Sequence, residues 1–254
     1  MTRIIGFHSC KGGVGKSTLS VLCAFWAGGR EDGLAQRVVL VDSDPWEDCL
    51  KFQKKRKALG MPCPFAVVPG GNFDLNTKTV KNFTPEKIDE IFTPDQIDLI
   101  FNPDKIDLIF IDIPPRGVNA VGGILEVCDL IAIPHRVGGT EDGRLEEMLR
   151  DYEDAGLGKI PKILILNEIE NLSSNLVVRF LSGRLRQEAT LVENLKAFAR
   201  ERGLPTVAFS KSLDCVRLML LGISPWEQHE RKTKMYRTLR VCQDLSVLVA
   251  ALGI

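Results

Sequence analysis

The run Cys10-Lys11-Gly12-Gly13-Val14-Gly15-Lys16-Ser17-Thr18 decides how the rest of this 254-residue chain is read. It follows a short apolar run (Ile4, Ile5, Phe7) that predicts a strand, and it leads into residues 18–27, which predict a helix. Strand, glycine-rich loop and helix start, in that order, form the setting that a phosphate-binding loop requires. Glycines let the backbone turn sharply, so several N–H groups point at one anion, and the positive end of the following helix faces the same place. In such a loop Lys16 sits on the β- and γ-phosphates of a nucleotide and the Ser17 hydroxyl ligates Mg²⁺. The spacing G-x-x-x-x-G-K-[ST] is met except at its first position, where Cys10 stands, and Lys11 adds a second lysine.

Working outward, the composition is that of an ordinary globular protein, with 44% hydrophobic and 26% charged residues. The length is ample for one large α/β domain, and no composition break or linker divides it, so a single domain spanning residues 1–254 is expected. Formal net charge is zero, so any nucleic-acid contact must come from a local patch rather than a global field. The seven cysteines are scattered and form no C-x-x-C pair, which argues for reduced thiols in a cytosol and against a disulfide framework, zinc or an iron–sulfur site. One arginine and then a strand open the sequence, unlike a signal peptide, and no apolar run approaches the roughly 20 residues that span a bilayer.

Apolar strand-like runs alternate with helix-length amphipathic stretches almost throughout, which predicts a doubly wound α/β fold with a mostly parallel sheet and helices on both faces. The second strand, residues 37–41, ends at Asp42-Ser43-Asp44-Pro45-Trp46. Ligands of open α/β sheets gather at the carboxyl ends of strands, which sets these acids near the phosphates. A helix over 47–59 and a strand over 65–68 follow.

Residues 84–110 then repeat a nine-residue unit three times: TPEKIDEIF, TPDQIDLIF, NPDKIDLIF. Thr or Asn, then Pro, then an acid is a helix-start signal, and the period is too short for a stacking solenoid module. The first two copies read as short helical turns within an insertion spanning 72–105, a local duplication tolerated at the surface or a partner-binding surface. The third copy must differ, because Ile106-Asp107-Leu108-Ile109-Phe110-Ile111-Asp112 reads as a buried strand ending in an acid. Later strands are expected at 130–134, 160–167 and 204–209, helix in two pieces over 174–202, and two helices at the C-terminal end.

With its earlier lysine, KGGVGKST resembles the deviant Walker A box of the ParA/MinD family of dimerising ATPases. The resemblance implies that the loop from Lys11 to Thr18 holds ATP, and that Lys11 reaches across a dimer interface to the partner's ATP. Residues 42–46 resemble the family's D-x-D-P-Q switch I motif, with Trp46 in place of the glutamine. By that likeness Asp42 positions or activates the attacking water, while Asp44 acts through the Mg²⁺ shell. Asp112-Ile113-Pro114-Pro115 resembles the family's Walker B and switch II region, D-x-P-P, which makes Asp112 a ligand of Mg²⁺ through water. Arg116 either faces the γ-phosphate or dimer partner, or sits at the surface. Asn167 resembles the position that touches the adenine edge, though an Asn capping a turn reads much the same.

The loop begins at residue 10, so the likeness is to small ParA proteins without an N-terminal helix-turn-helix. That implies a cytoplasmic, nucleoid-associated homodimer formed on ATP, non-specific DNA binding, and a ParB-like protein or cargo adaptor that stimulates hydrolysis. Arg231, Lys232, Lys234, Arg237 and Arg240 lie close together with no intervening acid, and Lys211 and Arg217 lie upstream, which gives a candidate DNA surface. Two alternatives stand beside this reading. A MinD-like membrane-surface ATPase needs a basic amphipathic C-terminal helix, and residues 245–254 have no basic face, so no membrane partner is expected. A metabolic P-loop enzyme, a dethiobiotin-synthetase-like ligase or a metal-cluster carrier, is opposed by Lys11 and by the missing cysteine pair.

Overall fold

A computed structural model of the chain describes residues 2–29, 36–136, 142–169, 183–210 and 236–254. In chain order these form β1 (Arg3–Phe7), α1 (Lys16–Gly28), β2 (Val38–Asp42), α2 (Asp48–Ala58) and β3 (Phe65–Pro69). A small hairpin of β4 (Phe73–Asp74) and β5 (Thr79–Val80) precedes α3 (Pro85–Ile91), α4 (Pro94–Phe101) and β6 (Leu108–Asp112). Next come α5 (Val118–Leu125), β7 (Leu130–Arg136), α6 (Asp142–Asp154), β8 (Lys162–Ile169), α7 (Gly183–Glu201), β9 (Thr206–Ser210) and α8 (Tyr236–Ala251).

Seven strands pair in the order β3-β2-β6-β1-β7-β8-β9, every neighbouring pair parallel. Runs such as Val38-Val39-Leu40-Val41 and Leu108-Ile109-Phe110-Ile111 carry no polar alternation, and both strands are buried along their whole length. A parallel sheet covered by crossover helices demands that pattern. The strand order reverses at β1, which sits between β6 and β7. The crevice outside the carboxyl ends of the strands at such a reversal is where α/β sheets bind ligands.

The duplicated nonamers take two different structures. Thr84 and Thr93 stand at the starts of α3 and α4, each followed by Pro in the first turn; the Thr84 hydroxyl accepts from the Lys87 amide at 3.5 Å. The third copy makes only a short 3-10 turn at Pro103–Lys105 before its apolar half enters the sheet as β6. It does so because both flanks are filled: β6 pairs with β1 on one side and β2 on the other. The first two copies are more than a tolerated duplication. Ile91, Phe92 and Ile100 are buried in the common core. Gln96 Nε2 donates to the Phe65 carbonyl at 2.6 Å, the Val67 amide donates to Gln53 Oε1 at 2.6 Å, and Gln53 Nε2 donates to the Ile91 carbonyl at 3.2 Å. Strand β3 is an edge of the sheet, and side-chain amides from α2 and α4 occupy backbone groups that an edge leaves unpaired.

The expected strand at 204–209 is β9, and α7 supplies the described part of the helical stretch expected over 174–202. Lys211, Arg217, Arg231, Lys232 and Lys234 lie outside the described residues, while Arg237 and Arg240 fall in the first turns of α8.

Candidate functional site

The loop leaves β1 and returns as α1, and its shape depends on two backbone torsions. Gly13 has φ +75° and Gly15 has φ +94°, a region that side chains with a Cβ rarely enter. Gly15 is doubly constrained, since a Cβ there would lie 2.3 Å from Asn167 Nδ2. Val14, 2% exposed, anchors the loop, whereas Gly12 and Gly13 are exposed. The first amides of α1 have no partners within the helix and end at this loop, which makes the place electropositive before any side chain is counted.

Lys16, in the first turn of α1, is 5% exposed and donates to the Lys11 carbonyl at 3.0 Å. Burial pulls its pKa down, and the nearby Asp112 and Asp44 carboxylates pull it back up. Asp42 and Asp112 are paired in register at the ends of adjacent strands β2 and β6. The Asp42 carboxylate accepts from the Leu50 amide at 3.0 Å and the Asp44 amide at 3.3 Å, yet burial pushes its pKa up to about 7. Burial likewise raises Asp112 to about 6, against the Ser17 hydroxyl, the Cys49 thiol and the Lys16 ammonium, which favour its charged form. Asp44 is half-buried and accepts from the Trp46 amide at 3.0 Å. The structure thus brings Lys11, Lys16, Ser17, Asp42, Asp44 and Asp112 to one end of the sheet.

Asp112 Oδ1 is buried and has no hydrogen-bond partner among the described residues. An orphaned carboxylate oxygen beside a helix-start hydroxyl is the donor set a hydrated Mg²⁺ ion would satisfy, so the residues present fit that ion.

Three further placements bear on the site. Asn167, at the end of β8, donates through Nδ2 to the Val14 carbonyl at 2.7 Å, and so braces the loop itself. Trp46, standing where the family motif has glutamine, is 74% exposed beside a left-handed Glu47 (φ 50°). The Arg116 side chain is exposed.

Sequence reasoning missed Cys49, His8 and Tyr152. Cys49, in the first turn of α2, donates to Asp112 Oδ2 at 3.4 Å. His8 follows β1 directly and touches both the segment after β6 and α6. Its Nε2 lies 2.9 Å from the Arg116 carbonyl, which can only accept, so Nε2 carries the proton and Nδ1 accepts from the Tyr152 hydroxyl at 2.5 Å. Burial lowers the His8 pKa to about 4. A signal existed for Cys49, a polarisable side chain seven residues past a strand-end acid; none pointed to Tyr152, which is 144 residues from its partner.

A scan of the sequence against protein-family models found no match, and a search of curated proteins found none either. Solved structures do match along almost the whole chain. A Borrelia burgdorferi plasmid partition protein bound to AMPPNP superposes with a TM-score of 0.61 at 17% identity, covering 100% of both chains. An ATP complex of a McdA variant from Cyanothece gives 0.64 at 14% identity, covering 100% of this chain and 97% of that one. The MinD cell division protein of Aquifex aeolicus gives 0.55 at 16% identity, covering 98% of each. At such identities what is shared is the architecture: this chain has the fold of the ParA/MinD ATPases.

Proposed function

We propose that this chain is a single-domain, Mg²⁺-dependent ATPase of the ParA type that dimerises on ATP, binds duplex DNA without sequence preference and positions cargo with a partner protein that stimulates hydrolysis. One observation carries the reading: a glycine loop, a buried lysine and two strand-end carboxylates converge where the strand order reverses. Superposition on a plasmid partition protein holding AMPPNP and on a McdA–ATP complex supports nucleotide as the ligand.

Lys16 exchanges the Lys11 carbonyl for phosphate oxygens, while the loop amides and the start of α1 bind the rest of the anion. Ser17, Asp44 and Asp112 are the residues that would hold Mg²⁺, Asp112 through the oxygen that has no partner among the described residues. When bound, Mg²⁺ would supply positive charge that offsets the charge on the phosphate oxygens. Asp42, held by two backbone amides and with its pKa near neutrality, is placed to orient an attacking water and accept its proton. Lys11 serves the second subunit, and Arg237 and Arg240 at the start of α8 contribute with the neighbouring cations to phosphate contacts on DNA.

A membrane-surface role is less well supported. Leu245, Leu248, Val249 and Leu252 are buried, so the apolar side of α8 is used inside the protein. No described helix is long and apolar enough to cross a membrane.

The test uses Asp42→Ala, which removes the water-orienting carboxylate and leaves Lys16 and Ser17 in place. With ATP it should accumulate as a dimer that binds random-sequence duplex in fluorescence polarisation, with affinity falling steeply as salt rises. Alanine at Arg237 and Arg240 in that background should flatten the salt dependence equally for all sequences. An Asp42→Ala dimer that leaves DNA unbound at low salt would overturn the DNA part of the proposal.

A further inference from the structure

Three buried donors from three elements meet beneath the loop: Asp42 at the end of β2, Cys49 in the first turn of α2 and Asp112 at the end of β6. One ligand atom from each lies within 4.8 Å of the others, and the three residues are 2%, 0% and 0% exposed. Their positions are fixed from outside. The carboxylates sit opposite each other in the β2–β6 pairing, the Leu50 amide holds Asp42, and the Cys49 thiol lies 3.7 Å from the Ser20 hydroxyl. The cluster is poorly satisfied from within. A thiol is a weak donor, and at 3.4 Å it serves only Oδ2 of Asp112, while Oδ1 is buried without a partner among the described residues.

Mg²⁺ does not explain the sulfur, because it takes oxygen ligands in an octahedron and keeps several waters. One sulfur and two carboxylates, with a fourth position for water, are a donor set for a tetrahedral, borderline-soft ion. Bonds of about 2.0–2.3 Å to such an ion separate its ligands by roughly 3.3–3.7 Å. The present ligand atoms, all within 4.8 Å of one another, must draw together to reach that range. We propose that Asp42, Cys49 and Asp112 form a binding site for a thiophilic divalent cation of the zinc class. On binding, the thiol proton passes to solvent as the sulfur–metal bond forms, and no electrons are transferred. Binding stands on this geometry alone. Its consequence, that the ion ties Asp42 to Asp112 and opposes loading of MgATP, rests on the nucleotide reading of the same site.

The probe is Cd²⁺, titrated into the nucleotide-free full chain and followed by thiolate-to-cadmium charge-transfer absorption. The band should saturate at one equivalent, resist excess Mg²⁺, persist in Cys10→Ser and vanish in Cys49→Ser. Asp112→Asn should weaken binding roughly tenfold or more, at least what loss of an outer-shell partner costs, and it decides the matter should Cys49→Ser fail to fold. A band that survives in Cys49→Ser, follows Cys10, or keeps its affinity in Asp112→Asn overturns the site. Lys16→Ala separates the two readings, since it should lose ATP and keep cadmium. Wild-type protein that binds ATP but gives no band sinks the metal site alone; a Cys49-dependent band without ATP binding sinks the nucleotide reading alone.

Discussion

The Lys16 ammonium is almost sealed from water and is held by a carbonyl of its own loop. A buried charge that meets triphosphate in a poorly screened site is worth several kcal/mol. Lys16→Ala should therefore weaken MgATP binding by about 100-fold or more in isothermal titration, and unchanged affinity would mean that the loop is not the phosphate site. His8 carries a second expectation at this scale. Its folded pKa of about 4 lies below the ordinary imidazole value of 6.5, so its contribution to stability is complete above pH 6.5 and is lost as pH falls toward and through 4. That difference amounts to roughly 3 kcal/mol of acid sensitivity. In urea melts at a series of pH values, His8→Gln should lose that share of the slope between pH 6.5 and 4. The glycines, lysines and acids of the site were legible because each role is local: a torsion, or a strand end. His8 was not, because its meaning depends on a tyrosine from α6 and the carbonyl of Arg116 in the segment after β6.

At the scale of elements, the nonamer repeat shows where local signals stop. Thr-Pro-acid marked the starts of α3 and α4, and the apolar run after Ile106 marked β6. What the two helices cover was not legible, since the partner of Gln96 is the backbone of a strand 31 residues away. Gln96→Ala should leave the Phe65 carbonyl buried and unpaired at a cost of about 1–3 kcal/mol. Equilibrium urea unfolding would register this as a lower midpoint with an unchanged slope. A stability within error of wild type would show that the edge does not depend on this amide. The exposed Phe101, at the same repeat position as the buried Phe92 and Phe110, shows that burial in these copies follows placement rather than sequence.

For the whole molecule, the alternation of apolar runs and amphipathic stretches was enough to foresee a parallel, doubly wound sheet, because crossover helices leave parallel strands no wet face. The reversal at β1 was not visible in that alternation, since strand order is set by packing between segments far apart. The second lysine belongs to this scale as well. If its charge acts on the other subunit's nucleotide, as proposed, Lys11→Ala should retain ATP binding but lose ATP-dependent dimerisation in light scattering. A variant that still pairs on ATP would remove the shared-site model while leaving the site of a single protomer intact.

Because the Lys16 ammonium rests on the Lys11 carbonyl, nucleotide entry as proposed would be a swap of acceptors rather than the filling of a vacancy. The lysine passes from a weaker oxygen to stronger ones without standing bare, so the loop has its cradle shape before the ligand arrives. The same swap would withdraw one hydrogen bond from the backbone at Lys11, whose amide also donates to the Ser9 hydroxyl at 3.4 Å. On the proposed reading the two lysines would be coupled, since what the first lysine catches loosens the backbone that carries the second.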